Sequence, residues 1–199
     1  MKVELRADGT LHISGYVNVT GKMSRPVITA KGQRVIEVIE ERTFQNALSK
    51  ATNVKMTKDH NPNCVLAETR ANTLMLHEDS IGLRAEADIT DETTIREAKE
   101  GKIKGWSFGM RNIIDKIEER AEQLPIRHVK GFDLDHITLV VNKTPVYAAT
   151  SVELRADDEL EELETRAFDD DLQFVNNKKE KTYDNSEFEK RLEKLKVAE

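Results

Sequence analysis

Cysteine is almost missing. Cys64 is the only one in 199 residues, so no intrachain disulfide can form, and a reducing compartment is the expectation. Aromatic residues make up only 5% of the chain against 34% charged residues, so part of it is expected as solvated tail rather than core. No apolar run approaches the roughly 20 residues that cross a bilayer. The opening stretch, MKVELRADGT, has no apolar segment of the kind a secretory signal needs. Basic surplus is absent as well. The formal net charge is -6, whereas phosphate neutralisation requires clustered Lys and Arg. Neither nucleic acid nor a membrane is therefore expected as a partner. The length suits one domain with an appendage and is enough for a core without covalent staples.

What is present is a series of short β-type segments. Residues 3–19 alternate, with Leu11, Ile13, Tyr16, Val17 and Val19 as β-formers, and read as an opening hairpin. Residues 20–33, containing Pro26, read as a polar loop, and 34–41 as a strand. Thr43 is the expected cap of a short helix carrying Phe44, Ala47 and Leu48 on one face. Residues 53–63 read as a strand entering a turn, with Asn61-Pro62 as the breaker. Two strands follow at 73–76 and 82–89. Asp91 starts a second helix that stops at Gly101. Long strands are expected at 103–115 and 128–141. The pattern predicts an α+β, mainly β fold: a closed or nearly closed barrel flanked by a few helices.

Composition changes near residue 157. From 157 to 171 there are nine acids and a single Arg. From 177 on, an amphipathic helix is expected, with Phe188, Leu192 and Leu195 on one stripe. The chain is accordingly divided into a barrel domain, 1–156, and a charged helical tail, 157–199.

The stretch GKIKGWSFGM, 101–110, carries the chemistry-bearing pattern. Side chains alternate between strand faces, so Trp106, Phe108 and Met110 share one face while Gly105, Ser107 and Gly109 share the other. Glycine inside a strand marks a bulge or the close approach of another backbone. One reading makes Ser107 a satisfied hydroxyl at a tight barrel corner. The other makes it a nucleophile on a face cleared for a substrate strand. A serine nucleophile needs a base within hydrogen-bond reach, and that base needs a third group to hold its tautomer. Of five histidines, His60 sits where a turn would present it at a sheet edge, and His136 lies inside a strand, facing the same way as Leu134 and Thr138. A Cys64–His60 thiol pair would need a helix, which Asn61-Pro62 opposes.

Six segments in order resemble the prohead (capsid maturation) protease family of tailed phages, serine proteases related in fold to the herpesvirus assembly proteases. They are ISGYVNV (13–19), RVIEVIEERTFQNAL (34–48), VKMTKDHNPNCVLAET (54–69), EDSIGLRAEADI (78–89), IKGWSFGM (103–110) and FDLDHITLVVNKTPVYAAT (132–150). Glu41-Arg42-Thr43 replaces the family's Pro-Gly-Ala. G-x-S-x-G also occurs in α/β-hydrolases, but there the serine sits on a strand-to-helix elbow, and here it lies in mid-strand. The resemblance implies a serine endopeptidase acting through an acyl-enzyme, with Ser107 as nucleophile and His60 as base. His136 stands where many relatives have Glu, which implies a Ser-His-His triad like that of the herpesvirus enzymes. Gly105 and Gly109 then line the peptide's place. Strand alternation points Asp135 to the opposite face. No cofactor or metal is called for. The implied partners are the major capsid protein and its scaffold segment, with a dimer by analogy, and the implied place is the assembling prohead in the host cytoplasm, not the outside of the cell. The alternative is a non-catalytic capsid-assembly or scaffolding protein on the same fold, with Ser107 structural.

One repeat fits a self-processing enzyme. Glu-x-Arg-Ala occurs at 4–7, 68–71, 118–121, 153–156 and 164–167. The last two copies flank the acidic run, so Arg155-Ala156 and Arg166-Ala167 are the expected self-cleavage sites, exposed segments being cut first. Reuse of short charged β-type sequence accounts for the repeat equally well.

Overall fold

The alternation of the first residues puts Val3 and Leu5 inside and leaves Lys2 exposed and Glu4 half-buried. In a computed structural model, which describes residues 1–141, 164–168 and 173–176, this becomes strand β1 (Lys2–Leu5), paired antiparallel with β2 (Leu11–Val19) as expected. The remaining elements are β3 (Pro26–Ile28), β4 (Arg34–Ile39), α1 (Thr43–Lys50), β5 (Lys55–Lys58), β6 (Asn61–Glu68), β7 (Leu74–Glu78), β8 (Gly82–Ile89), α2 (Glu92–Lys99), β9 (Gly105–Glu118), β10 (Ile126–Val140), β11 (Glu164–Phe168) and β12 (Gln173–Asn176).

The protein is mainly β with two helices among the described residues. One sheet runs β12-β1-β2-β8-β7. The other runs β11-β9-β10-β4-β3, with the β5-β6 hairpin joined to β10 beyond β4. Strand β10 is long enough to pair in parallel with β4 through Ile126–Val129 and with β5 through His136–Leu139. Neither sheet closes on itself among the described residues, so the expected barrel is not found there. Residues from the inner faces of both sheets form one core, including Leu11, Ile13, Leu83, Ile89, Phe108, Met110 and Ile137. Helix α1 adds Phe44, whose ring meets Phe108 and Phe132 edge-on at 5.1 and 5.2 Å between centroids. This packing fixes the inner face of β9 and so the direction of its other face.

Several local expectations change. Pro26 opens a short edge strand, β3, in the segment read as a loop; an edge position tolerates its missing N–H. Thr43 does not cap α1. It is buried within the first turn, Arg42 precedes it at φ 67°, and the Glu78 carboxylate accepts from the amides of Arg42 and Gln45 at 2.9 and 2.7 Å. A distant acid thus does the work of a local cap. Asn61-Pro62 is not the breaker either. The turn falls two residues earlier, at Asp59 and His60, both left-handed (φ 50° and 59°), and β6 runs through Pro62. By contrast, Asp91 caps α2 as expected, its Oδ1 accepting from Thr94 N at 2.7 Å, and Gly101 follows the helix at φ 68°.

The division at residue 156 stays a proposal. Of the residues after it, the described ones form two strands that extend sheet edges: β12 lies parallel to β1, and β11 lies antiparallel to β9. The helix expected from 177 lies outside the described residues, as do Arg155 and Ala156 and the stretch 142–150.

Candidate active site

Strand β9 places Ser107 as the alternation requires. Trp106, Phe108 and Met110 are fully buried in the core, and Ser107, on the opposite face, is 1% exposed. Across the ladder Ser107 pairs with Thr138, and Gly109 with His136.

The Asp59-His60 turn is tied to β10 at three points. Asp59 N donates to Leu139 O at 3.0 Å, Asp59 Oδ1 accepts from Val141 N at 2.8 Å, and His60 N donates to Thr138 Oγ1 at 3.0 Å. The Thr138 hydroxyl in turn donates to Thr57 O at 2.9 Å. A left-handed residue is held here because the surrounding bonds over-determine it. The result aims the His60 ring across β10 toward β9.

Three side chains then fall in line. His60 Nε2 lies 2.9 Å from Ser107 Oγ, and His60 Nδ1 lies 2.7 Å from His136 Nε2. The two rings are nearly perpendicular, with centroids 5.0 Å apart. The line continues: His136 Nδ1 is 2.7 Å from Asp135 Oδ2, and Asp135 Oδ1 accepts from Arg111 Nε at 2.6 Å.

Asp135 was expected on the opposite face, and the reason for the difference is a β-bulge. Leu134 pairs with Met110 and His136 with Gly109, so Asp135 is an extra residue in β10. The bulge shifts the phase of the strand. Leu134 and Ile137 both face the core although three positions apart, so Leu134 does not share His136's face as alternation implied. The bulge also swings the Asp135 carboxylate beside the ring of its neighbour. Nothing in FDLDHITL marks a bulge; its only trace is that the apolar positions Phe132 and Leu134 fall out of step with Ile137 and Leu139.

The proton positions follow from this line. Burial acts to raise the Asp135 pKa, but the hydrogen bonds and charges of His136 and Arg111 outweigh it and hold the pKa at about 2. Asp135 is therefore a carboxylate that can only accept. A neutral His136 must carry its proton on Nδ1, leaving Nε2 to accept from His60 Nδ1–H. His60 Nε2 is then an acceptor within hydrogen-bond reach of the Ser107 hydroxyl. Each tautomer is fixed by the group behind it.

The second neighbour of Ser107 is a peptide group. Strand β11 runs along the free edge of β9, with Ala167 opposite Ser107 and Thr165 opposite Gly109, and the carbonyl oxygen of Arg166 lies 2.6 Å from Ser107 Oγ. A single hydroxyl proton serves both neighbours. With His60 neutral it goes to Nε2; with His60 protonated it turns to the Arg166 carbonyl.

Of the residues singled out by sequence, Ser107, His60 and His136 are thus brought together, and Arg166 and Ala167 lie beside them. Gly109 sits between His136 and Thr165 in the ladder, and Gly105 pairs with Val140 at the start of β9. Cys64 lies on β6, and both ring nitrogens of His60 are engaged elsewhere. No group of three or more His, Cys, Asp or Glu among the described residues is arranged to hold a metal ion.

A family model described as caudovirus prohead serine protease matches residues 1–165. No curated protein matches the chain, and neither does any solved structure.

Proposed function

The chain belongs to the caudovirus prohead serine protease family, and from that premise we propose that it is a capsid maturation endopeptidase in which Ser107 is the nucleophile and His60 its base. The observation that carries this reading is the unbroken line from Ser107 Oγ through His60 to His136, with bonds of 2.9 and 2.7 Å. A serine hydroxyl is a weak nucleophile until a positioned base takes its proton.

The steps follow from the atoms in place. Ser107 Oγ bonds to the carbonyl carbon of the bound peptide as its proton passes to His60 Nε2. The C–N bond of the peptide breaks, and the departing nitrogen takes that proton. Water, giving a proton to His60 Nε2, then attacks the same carbon; the ester C–O bond breaks and Ser107 Oγ takes that proton back. His136 keeps Nε2 free to accept and so holds His60 in the right tautomer. A neutral imidazole alone stabilises the transient imidazolium of His60 weakly; the Asp135 carboxylate behind it supplies the charge. Oxyanion donors are sought in the loop 142–145, which lies outside the described residues.

The substrates in this reading are the major capsid protein with its scaffold segment, and the enzyme's own tail, cut while the prohead assembles in the host cytoplasm. A dimer is part of the proposal by analogy with the herpesvirus enzymes. No helix among the described residues is long and apolar enough to cross a membrane.

The test is covalent labelling by a fluorophosphonate, read by peptide mass mapping. Label on Ser107 in the parent, and its loss in His60→Ala, is the expected pair of results. An unlabelled Ser107 in folded protein would favour the non-catalytic scaffolding alternative.

A further inference from the structure

The Arg166 carbonyl faces Ser107, so the side chain of Arg166 occupies the place of the residue on the N-terminal side of a bond to be cut. That side chain is 5% exposed. Its guanidinium meets Glu37 of β4 in a parallel fork: Nε donates to Oε1 at 2.6 Å and a terminal nitrogen to Oε2 at 2.8 Å. Another terminal nitrogen donates to Thr165 O at 2.9 Å. Such a fork suits Arg and no other residue, since Lys offers a single point charge.

Two residues upstream, Glu164 is buried as well. It accepts from Arg127 of β10 at 2.5 Å, from Ala30 N at 3.1 Å, and from Arg166 itself. Arg127 also reaches Glu37 at 3.2 Å and Asp115 of β9. Side chains at i and i+2 of a strand share a face, so Glu164 and Arg166 reach this charged recess together. Thr165, itself buried, points the other way.

The burial is severe, and only pairing makes it tolerable. On its own, burial would raise the carboxyl pKa of Glu164, but the hydrogen bond from Arg127 and the charges of Arg166 and Arg127 bring it below the usual range. An acid in place of Arg166 would meet the Glu37 charge in a dry site, and a base in place of Glu164 would meet Arg127. Both are excluded by like charge.

We propose that Glu37 and Arg127 are the specificity-determining residues of this protease, Glu37 reading an Arg immediately before the cut and Arg127 reading a Glu two residues earlier. This rests on the catalytic reading above. The substrate class is an extended Glu-x-Arg segment added as a strand to the edge of β9. Cleavage falls between Arg166 and Ala167. Glu153-Leu154-Arg155-Ala156 carries the same two charges at the same spacing and is the second site. Of the other three copies, residues 4–7 begin inside β1, residues 68–71 form the turn after β6, and residues 118–121 run from the end of β9 itself into its connection to β10, where Arg120 donates to Leu124 O, so none can add to that edge.

The experiment is a double-mutant cycle on the full-length chain, timed by intact mass, with fluorophosphonate labelling of Ser107 as the control. Glu37→Gln and Arg166→Gln are each expected to slow the cut after residue 166 roughly a hundredfold, while Ser107 labels at least as fast as in the parent, since weaker docking of β11 uncovers it. The double variant should be little slower than Arg166→Gln alone, because Glu37 contacts the substrate through that Arg and keeps only its bond to Arg127 once it is gone. Arg127→Gln should slow the cut through Glu164 in the same non-additive way. Parental cleavage in Glu37→Gln overturns the inference, as do losses that multiply in the double variant. A parent that labels at Ser107 but is never cut after Arg166 overturns it and leaves the protease reading standing. A folded parent that neither labels nor cuts removes both.

Discussion

Replacing Asp135 by Asn removes one charge while leaving an oxygen that can still accept from His136. Asp135 lies beyond His136 as seen from His60. The 5.0 Å between the ring centroids and the 2.7 Å bond that follows put the carboxylate roughly 8 Å from the His60 ring. At an effective dielectric constant of about 20, a unit charge at that distance stabilises an imidazolium by about 2 kcal/mol, which is about thirtyfold in rate. Removing Asp135 also leaves the Arg111 cation, now 2.6 Å from that carboxylate, facing the His pair unneutralised, so the loss should lie at or above this value. The same lost charge makes His60 harder to protonate. The acid limb of the pH–rate profile for cleavage of a Glu-Thr-Arg-Ala-Phe peptide should therefore move to lower pH in Asp135→Asn. A role limited to folding would not move that limb. Rates within twofold of the parent, with an unmoved acid limb, would refute the claim that Asp135 stands behind the triad.

Further outcomes follow from the same geometry. In peptide cleavage, Ser107→Ala and His60→Ala should each lose about a thousandfold or more, and His136→Ala distinctly less, since the His60 tie to Thr138 survives it; equal losses would sink that ranking. Asp135, with its pKa lowered from 3.8 to about 2, contributes stability that is present above pH 4 and lost as pH falls toward 2. Thermal melts across that window should show a steeper acid decline in the parent than in Asp135→Asn, the difference reaching about 1–2 kcal/mol given the partial exposure of the carboxylate. Gly82 has φ +156°, and an added Cβ would meet Asn18 O at 2.1 Å and Val19 Cα at 2.8 Å; Gly82→Ala should lower the melting temperature by several degrees, and an unchanged melt would show that the β2–β8 contact gives way freely.

Much of this site was legible in the sequence because it depends on local pattern. Alternation alone separates Trp106, Phe108 and Met110 from Ser107, and the two-residue period holds over that part of β9, until the left-handed Asn112 shifts it and brings Ile113 to the core. The strand order was not legible, because β10 divides its edge between β4 and β5 and no local signal announces that. Thr43 looked like a cap because its neighbours fit one, but a carboxylate from β7 took the task. Asp135 was misassigned because a single extra residue reverses the alternation after it. Glu37 left a readable trace: it falls in phase with Val35 and Ile39, both buried, and an acid on a buried face asks for a cation. Which cation, Arg166 from a segment more than a hundred residues away, only the folded chain discloses.

Self-cleavage by Ser107 is read from the intact mass of the purified full-length chain beside its Ser107→Ala variant after concentrated incubation. Truncation after Arg166 or Arg155 is expected in the parent, and a single full-length species in the variant. A parent that stays whole, or a variant cut at the same bonds, would contradict it.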